Sequence, residues 1–147
     1  MSHPRSPVPI RAAVASDAPS LARLLVELGY PADPAEMPGR LTRMCADGAA
    51  AAFVADGDDG AVGLVTVSQR VVLHSATPIC QLTALVVRED VRGRGVGAAL
   101  VATVEDWARE RGATRIVVTT ALHRAEAPLF YERLGYEHTG RRYVHVL

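Results

Sequence analysis

The sequence contains no lysine, so all sixteen of its basic residues are arginine. That absence closes one reading of its glycine-rich segment, because a nucleotide-hydrolysing loop follows G-x-x-x-x-G-K-[ST] and needs the lysine on its phosphates. Charge of one sign is not in excess either. Sixteen acidic residues balance the arginines, and neither a basic surplus nor a basic stripe offers a polyanionic polymer a footing, which argues against a nucleic-acid partner. Cysteine is scarce: Cys45 and Cys80 lack C-x-x-C spacing and a neighbouring histidine pair, so two buried free thiols are expected rather than a metal site or a disulfide. No apolar run is long enough to span a membrane, and the first residues (MSHPRSPVP) are polar and proline-rich, without the apolar core of an export signal. The expectation is a cytoplasmic protein with a flexible leader over residues 1–7.

What is present fits one domain over residues 8–147. A chain of 147 residues that is 49% hydrophobic can bury roughly 70% of its unfolded surface without a metal or a disulfide. Residues 8–12 read as a strand. Ser16 or Asp17 caps a helix with Leu21, Leu24, Leu25 and Leu28 on one face, closed by Gly29. Asp33, Pro34 and Glu36 open a second helix with Leu41 and Met44 inward, which Pro38 and Gly39 must break or delay. Strands at 50–55 and 61–69 flank the turn Gly57, Asp58, Asp59, Gly60 as a hairpin. A strand at 79–87 precedes a helix at 98–111, in which Leu100, Val101, Val104, Trp107 and Ala108 recur at helical spacing and Gly112 is the stop. Trp107 reads as a packing residue. A strand at 115–120, a short helix from about Glu126 with Pro128 in its first turn, and closing strands at 136–138 and 142–146 complete the chain.

Residues 92–97 read RGRGVG, directly after the apolar run 82–87 (LTALVV) and before the helix. Glycines at 93, 95 and 97 remove the side chains that would keep a phosphate from the main chain. The helix adds unpaired N–H groups and the positive end of its dipole, so the junction suits a pyrophosphate. A dinucleotide reading, G-x-G-x-x-A through Gly93, Gly95 and Ala98, needs an acidic residue about 20 positions on, at the end of the next strand. That strand (RIVVTT) ends in threonines.

Read as [QR]-x-x-G-x-[GA], Arg92, Gly95 and Gly97 resemble the acetyl-coenzyme A signature of the GNAT N-acetyltransferase family. Ala127, Phe130, Tyr131, Gly135 and Tyr136 match a second motif of that family, A-x-x-[LF]-Y-x-x-x-G-[FY], in the expected order and spacing. The resemblance runs from about residue 8 to the C-terminus. It implies a mixed α/β (α+β) acyl-coenzyme A N-acyltransferase fold, with a central mixed sheet of six to seven strands and about four helices. In such a fold the parallel neighbours at 82–87 and 115–120 splay to admit the coenzyme arm. It implies acetyl-CoA as co-substrate, no metal, and a primary amine on a small molecule or a peptide as acceptor, with neither nucleic acid nor membrane as partner; a homodimer is left open.

The resemblance also assigns roles. The amides of Gly93, Arg94, Gly95, Val96 and Gly97 hold the pyrophosphate, and the main chain of Leu85, Val86 and Val87 meets the pantetheine amides and the thioester oxygen. Arg92 or Arg94, with Arg88, supplies screening charge near the phosphates, and Tyr131 is the general acid for the departing thiolate. A glutamate base on the preceding strand is missing: the aligned positions hold Gln81, Thr83 and Leu85. Either a water relay past Gln81 or Thr83 serves, or a more distant His74, His123 or Glu126 takes the proton, although each of these also reads as ordinary surface. Arg124 and Glu89 depart from the family's usual asparagine and proline. The acceptor is expected against residues 28–43 and 72–78, where Asp33 and Glu36 face a cationic amine or simply start a helix. Two other classes remain, a non-catalytic acyl-CoA sensor and an oxidoreductase on the dinucleotide reading.

Overall fold

Apolar segments buried on both faces build the sheet, and the strands run β1 (Ile10–Ala12), β2 (Ala50–Gly57), β3 (Gly60–Arg70), β4 (Ile79–Val87) and β5 (Ile116–Val118), in that spatial order. They are seen in a computed structural model that describes residues 8–119 and 126–147. The β1–β2, β2–β3 and β3–β4 pairs are antiparallel. The helices are α1 (Ala18–Leu28), α2 (Met37–Cys45), α3 (Val96–Glu110) and α4 (Glu126–Arg133). The chain divides between Val117 and Val118 into two compact units, the first holding β1 to β4 and α1 to α3, the second holding α4 and the tail. No helix among the described residues is long and apolar enough to cross a membrane.

The first unit is layered on both faces of its sheet. On one face Leu21, Leu24 and Leu28 of α1 and Met37 of α2 pack on Val54, Leu64 and Val86. On the other, Leu100, Val101 and Val104 of α3 are fully buried, as are Val65 and Val67 of β3. Each such aliphatic side chain contributes roughly 1.5–3 kcal/mol by leaving water. Gly63 sets how closely α3 approaches. A Cβ built there would stand 3.0 Å from Leu100 Cδ1, 3.3 Å from Val96 Cγ1 and 3.4 Å from the Ala55 Cβ, so only a residue without a side chain lets the helix seat fully.

Asp17 precedes α1 but does not cap it in the expected way. Its carboxylate reaches back to accept from Val14 N (2.8 Å) and twice from the Arg11 guanidinium (2.8 Å each), while Arg11 Nε also donates to Asp56 (3.0 Å). The clasp ties β1, the start of α1 and the end of β2. Hydrogen bonds from Arg11 hold the Asp17 carboxyl below its ordinary range, against the opposing effect of burial. A depressed carboxylate stabilises the fold above the unfolded pKa of about 4 and loses that contribution as pH falls through the folded value. Asp17→Asn is therefore expected to lower the urea midpoint at neutral pH and to flatten its decline below about pH 4; parallel decline in both proteins would contradict this.

Most expected elements are in place, with two corrections, to the strand count and to Cys45. Five strands, rather than six to seven, occur among the described residues, because 136–138 and 142–146 form no ladder. Tyr143, Val144, Val146 and Leu147 of that segment are exposed, and alternation without burial of one face does not hold a strand in water. Pro38 and Gly39 delay the second helix rather than break it: Pro38 lies in the first turn of α2, where its missing N–H is not needed, after a 3-10 turn (Pro34–Glu36) capped by Asp33. Cys80 is buried as expected but Cys45, the last residue of α2, is only half-buried. The expected leader 1–7 lies outside the described residues.

Candidate active site

The glycine segment forms the open start of a long helix. A 3-10 turn (Glu89–Val91) follows β4, Gly93 and Gly95 take φ of +79° and +80°, and α3 begins at Val96. Left-handed backbone of this kind costs a residue with a Cβ about 1–2 kcal/mol, and no described atom lies within 4 Å of where a Cβ would stand on either glycine. Backbone conformation, not crowding, therefore requires glycine at both. No side chain caps the helix at Gly95. Helical bonding starts with Ala99 N to Gly95 O (3.0 Å), so the N–H groups of Val96, Gly97 and Ala98 have no intrahelical acceptor. Arg92 N is already used, donating to Glu89 O. The row of donors suited to an anion thus runs from Gly93 onward, with the helix dipole behind it. A diphosphate fits this donor set.

The arginines around the loop are more committed than the sequence shows. Arg92 Nε donates to Val87 O (2.9 Å) and its Nη2 to Glu27 Oε1 of α1 (2.9 Å), and the same carboxylate oxygen accepts from Glu89 N (3.0 Å). Arg88 pairs with Asp90 and, at 3.5 Å, with Asp59. Arg94 is exposed. Nothing in the spacing of α1 singles out Glu27, whose partners lie 62 and 65 residues away.

Strand β4 carries a bulge that breaks its period. Thr66 pairs with Ala84 and Val67 with Leu82, leaving Thr83 as the extra residue, with its hydroxyl 2.6 Å from that of Thr66. Because paired residues share a face, Gln81, Ala84 and Val86 face the α1 and α2 side while Leu82 and Leu85 face α3. The three base positions read as one row, Gln81, Thr83 and Leu85, therefore do not share a face. Leu85 and Val87 are half-buried and Val86 is buried, paired with Val65, Gly63 and Leu64 respectively. On the opposite edge, Cys80 N donates to Arg115 O (3.3 Å) at the start of β4. Burial pushes the Cys80 thiol up, making it a poor nucleophile. Trp107 is buried in α3 with the Arg111 guanidinium 3.7 Å over its ring.

In the second unit, α4 spans Glu126–Arg133 among the described residues and contains Pro128. Tyr131 packs edge-on against Phe130 (5.1 Å) and Tyr136 (5.7 Å), and burial pushes its phenol up to about 12. It stays protonated throughout the physiological range. His74 and Glu126 are exposed, while His123 and Arg124 lie outside the described residues.

The first unit thus combines a sheet layered by helices with an uncapped, glycine-lined helix start at the joint of its fourth strand and third helix. The Acetyltransferase (GNAT) family model matches residues 18–136, and the chain belongs to that family. Aminoglycoside N(6')-acetyltransferase type 1 of Stenotrophomonas maltophilia is 33% identical over 137 residues, covering 90% of this chain and 88% of that protein. Aminoalkylphosphonate N-acetyltransferase of Salmonella typhimurium is 34% identical over 86 residues, 58% of this chain and 56% of that protein. For rat N-acetyltransferase 8 the match spans 46% of this chain and 30% of that protein at 37% identity, so against these last two relatives the chain spans about half of their length or less. The fold is shared with ribosomal-protein-alanine N-acetyltransferase of Brucella melitensis biovar Abortus (TM-score 0.80, 24% identity, 97% of this chain and 100% of that one). It is shared also with glucosamine-6-phosphate N-acetyltransferase of Arabidopsis thaliana (TM-score 0.83, 18% identity, 94% and 97%).

Proposed function

We propose that this chain transfers the acetyl group of acetyl-CoA to a primary amine by direct attack while both are bound. The observation that carries the reading is the uncapped, glycine-lined start of α3 immediately after β4, which presents backbone donors from Gly93 to Ala98 at the family's signature positions. When bound, the co-substrate supplies an activated thioester. The chain's own part is to hold the diphosphate on those amides, align the pantetheine arm along Leu85, Val86 and Val87, and offer a backbone N–H of that segment to the carbonyl oxygen as its charge grows. The short β5 beside the nine-residue β4 is consistent with an arm entering where the two strands diverge.

An amine of pKa about 10 must lose a proton to attack. Thr66 and Thr83, bonded hydroxyl to hydroxyl beside the bulge, with Gln81 on the same face, support a water relay over a carboxylate base. That face also carries α1 and α2, in keeping with an acceptor held near residues 28–43. Relatives named for aminoglycoside and aminoalkylphosphonate acceptors make cationic amines of small molecules the first to assay, in the cytoplasm, with no metal.

Tyr131, protonated up to about 12, is suited to hand its proton to the leaving thiolate. Thiol release from acetyl-CoA across an amine panel tests the reaction, and absence of release with every amine, despite coenzyme binding, would favour a sensor instead. Tyr131→Phe is expected to lower kcat roughly a hundredfold with coenzyme affinity unchanged. In the absorbance titration one of the four tyrosines should ionise near 12 and vanish in the variant. Between about 10 and 12 the folded state retains a proton the unfolded chain has lost, so stability should fall as pH rises through that window. An unchanged kcat would remove Tyr131 from the mechanism.

A further inference from the structure

We infer that Glu27 of α1 is a positioning residue for the diphosphate-binding loop, an inference that rests on the acetyl-CoA reading above. The loop lies between two firm elements, β4 and α3, but contains two glycines in left-handed conformation, whose freedom in the unliganded chain opposes the single arrangement an anion requires. α3 fixes the loop's far end. At the near end the only tie across to another layer of the fold, among the described hydrogen bonds of the loop, is the Glu27 carboxylate. One oxygen of it accepts from Glu89 N and from Arg92 Nη2, and Arg92 Nε closes the ring on Val87 O, the last residue of β4.

The arrangement is unexpected on charge alone, since a carboxylate beside an anion site repels its guest. Arg92 offsets that charge and is thereby turned away from acting as a simple counter-ion to phosphate. The geometry therefore trades electrostatic attraction for order: Glu27 holds the strand end, the 3-10 turn and the first loop residue in one register, so that the free amides from Gly93 onward are aimed before the ligand arrives. Ordering in advance reduces what binding must supply.

The two roles open to Arg92 predict opposite results for Glu27→Ala. If Glu27 positions the loop, the variant weakens coenzyme A binding, measured by calorimetry, by roughly tenfold, the equivalent of about 1.4 kcal/mol. Hydrogen exchange of 88–97 in the unliganded protein then speeds up while that of β3 does not. Glu27→Gln, which keeps an acceptor oxygen at the same place, should recover most of both. If Glu27 only sequesters Arg92, its removal frees the guanidinium for the phosphates, and affinity holds or rises; that result, or unchanged loop exchange, overturns the inference. Wild-type protein that takes up no coenzyme A would instead overturn the acetyl-CoA reading, while loop exchange in Glu27→Ala would still report whether the tie orders the segment.

Discussion

Gly95→Ala is expected to weaken coenzyme A binding by roughly a hundredfold or more, about 2.7 kcal/mol, while leaving the protein folded. Two effects act together. At φ +80° an alanine pays about 1–2 kcal/mol for left-handed backbone, which drives the loop toward other conformations. In the conformation shown, the methyl meets no described protein atom within 4 Å, so the fold itself accommodates it, and the second effect is a narrower approach to the neighbouring amides proposed to hold the anion. The folded state loses only the strain, a fall of a few degrees in Tm for a chain of this size. Calorimetry with coenzyme A, alongside thermal unfolding, separates the two contributions. Near-native affinity in a folded Gly95→Ala protein would mean that the diphosphate is held elsewhere.

The largest expected loss of stability comes from Leu100→Ala. Leu100 is among the largest fully buried side chains, in α3 against Gly63 of β3. Removing its isobutyl group forfeits transfer energy and leaves a cavity that the sheet beneath cannot readily close, for a cost of about 2–5 kcal/mol. Out of a total of roughly 5–15 kcal/mol, that is a substantial share of the stability of a typical domain. Denaturant unfolding at unchanged slope gives the value directly, and a cost under about 1 kcal/mol would mean that α3 settles into the space. Because α3 starts at the glycine loop, coenzyme binding should suffer less than stability, provided the variant is measured well below its Tm.

Much of the fold was legible because its signals are local. A nearly continuous apolar run placed β4 at Ile79–Val87, and helical spacing identified Leu100, Val101, Val104 and Trp107 as the inward face of α3. Gly29 and Gly112 marked helix ends through positive φ. What could not be read depends on distant partners. The Arg11 clasp joins residues 6 and 45 positions apart, and Glu27 meets its partners across more than sixty. The bulge at Thr83 was hidden for a different reason: one inserted residue flips the parity of everything after it, and an apolar run such as LTALVV shows no alternation in which the flip could be seen. The closing segment failed in reverse. Its alternation is a strand signal, but a strand exists only where a neighbour accepts its hydrogen bonds.

For the candidate site, the glycines disclosed the left-handed turn before the uncapped helix because φ +79° and +80° are a demand few other residues meet. The partners of the arginines were not legible, since charge in a sequence says nothing of which carboxylate a guanidinium meets. Arg88 and Arg92 both answer to carboxylates of the protein itself.

Gly63 lies outside the loop, yet its bare Cα decides how deep Val96, the first residue of α3, sinks toward the sheet. A single methyl there would act as a shim, tilting the helix mouth relative to the strand that feeds it. The geometry of the loop can therefore be altered from beneath, by substitution at a position outside the loop itself.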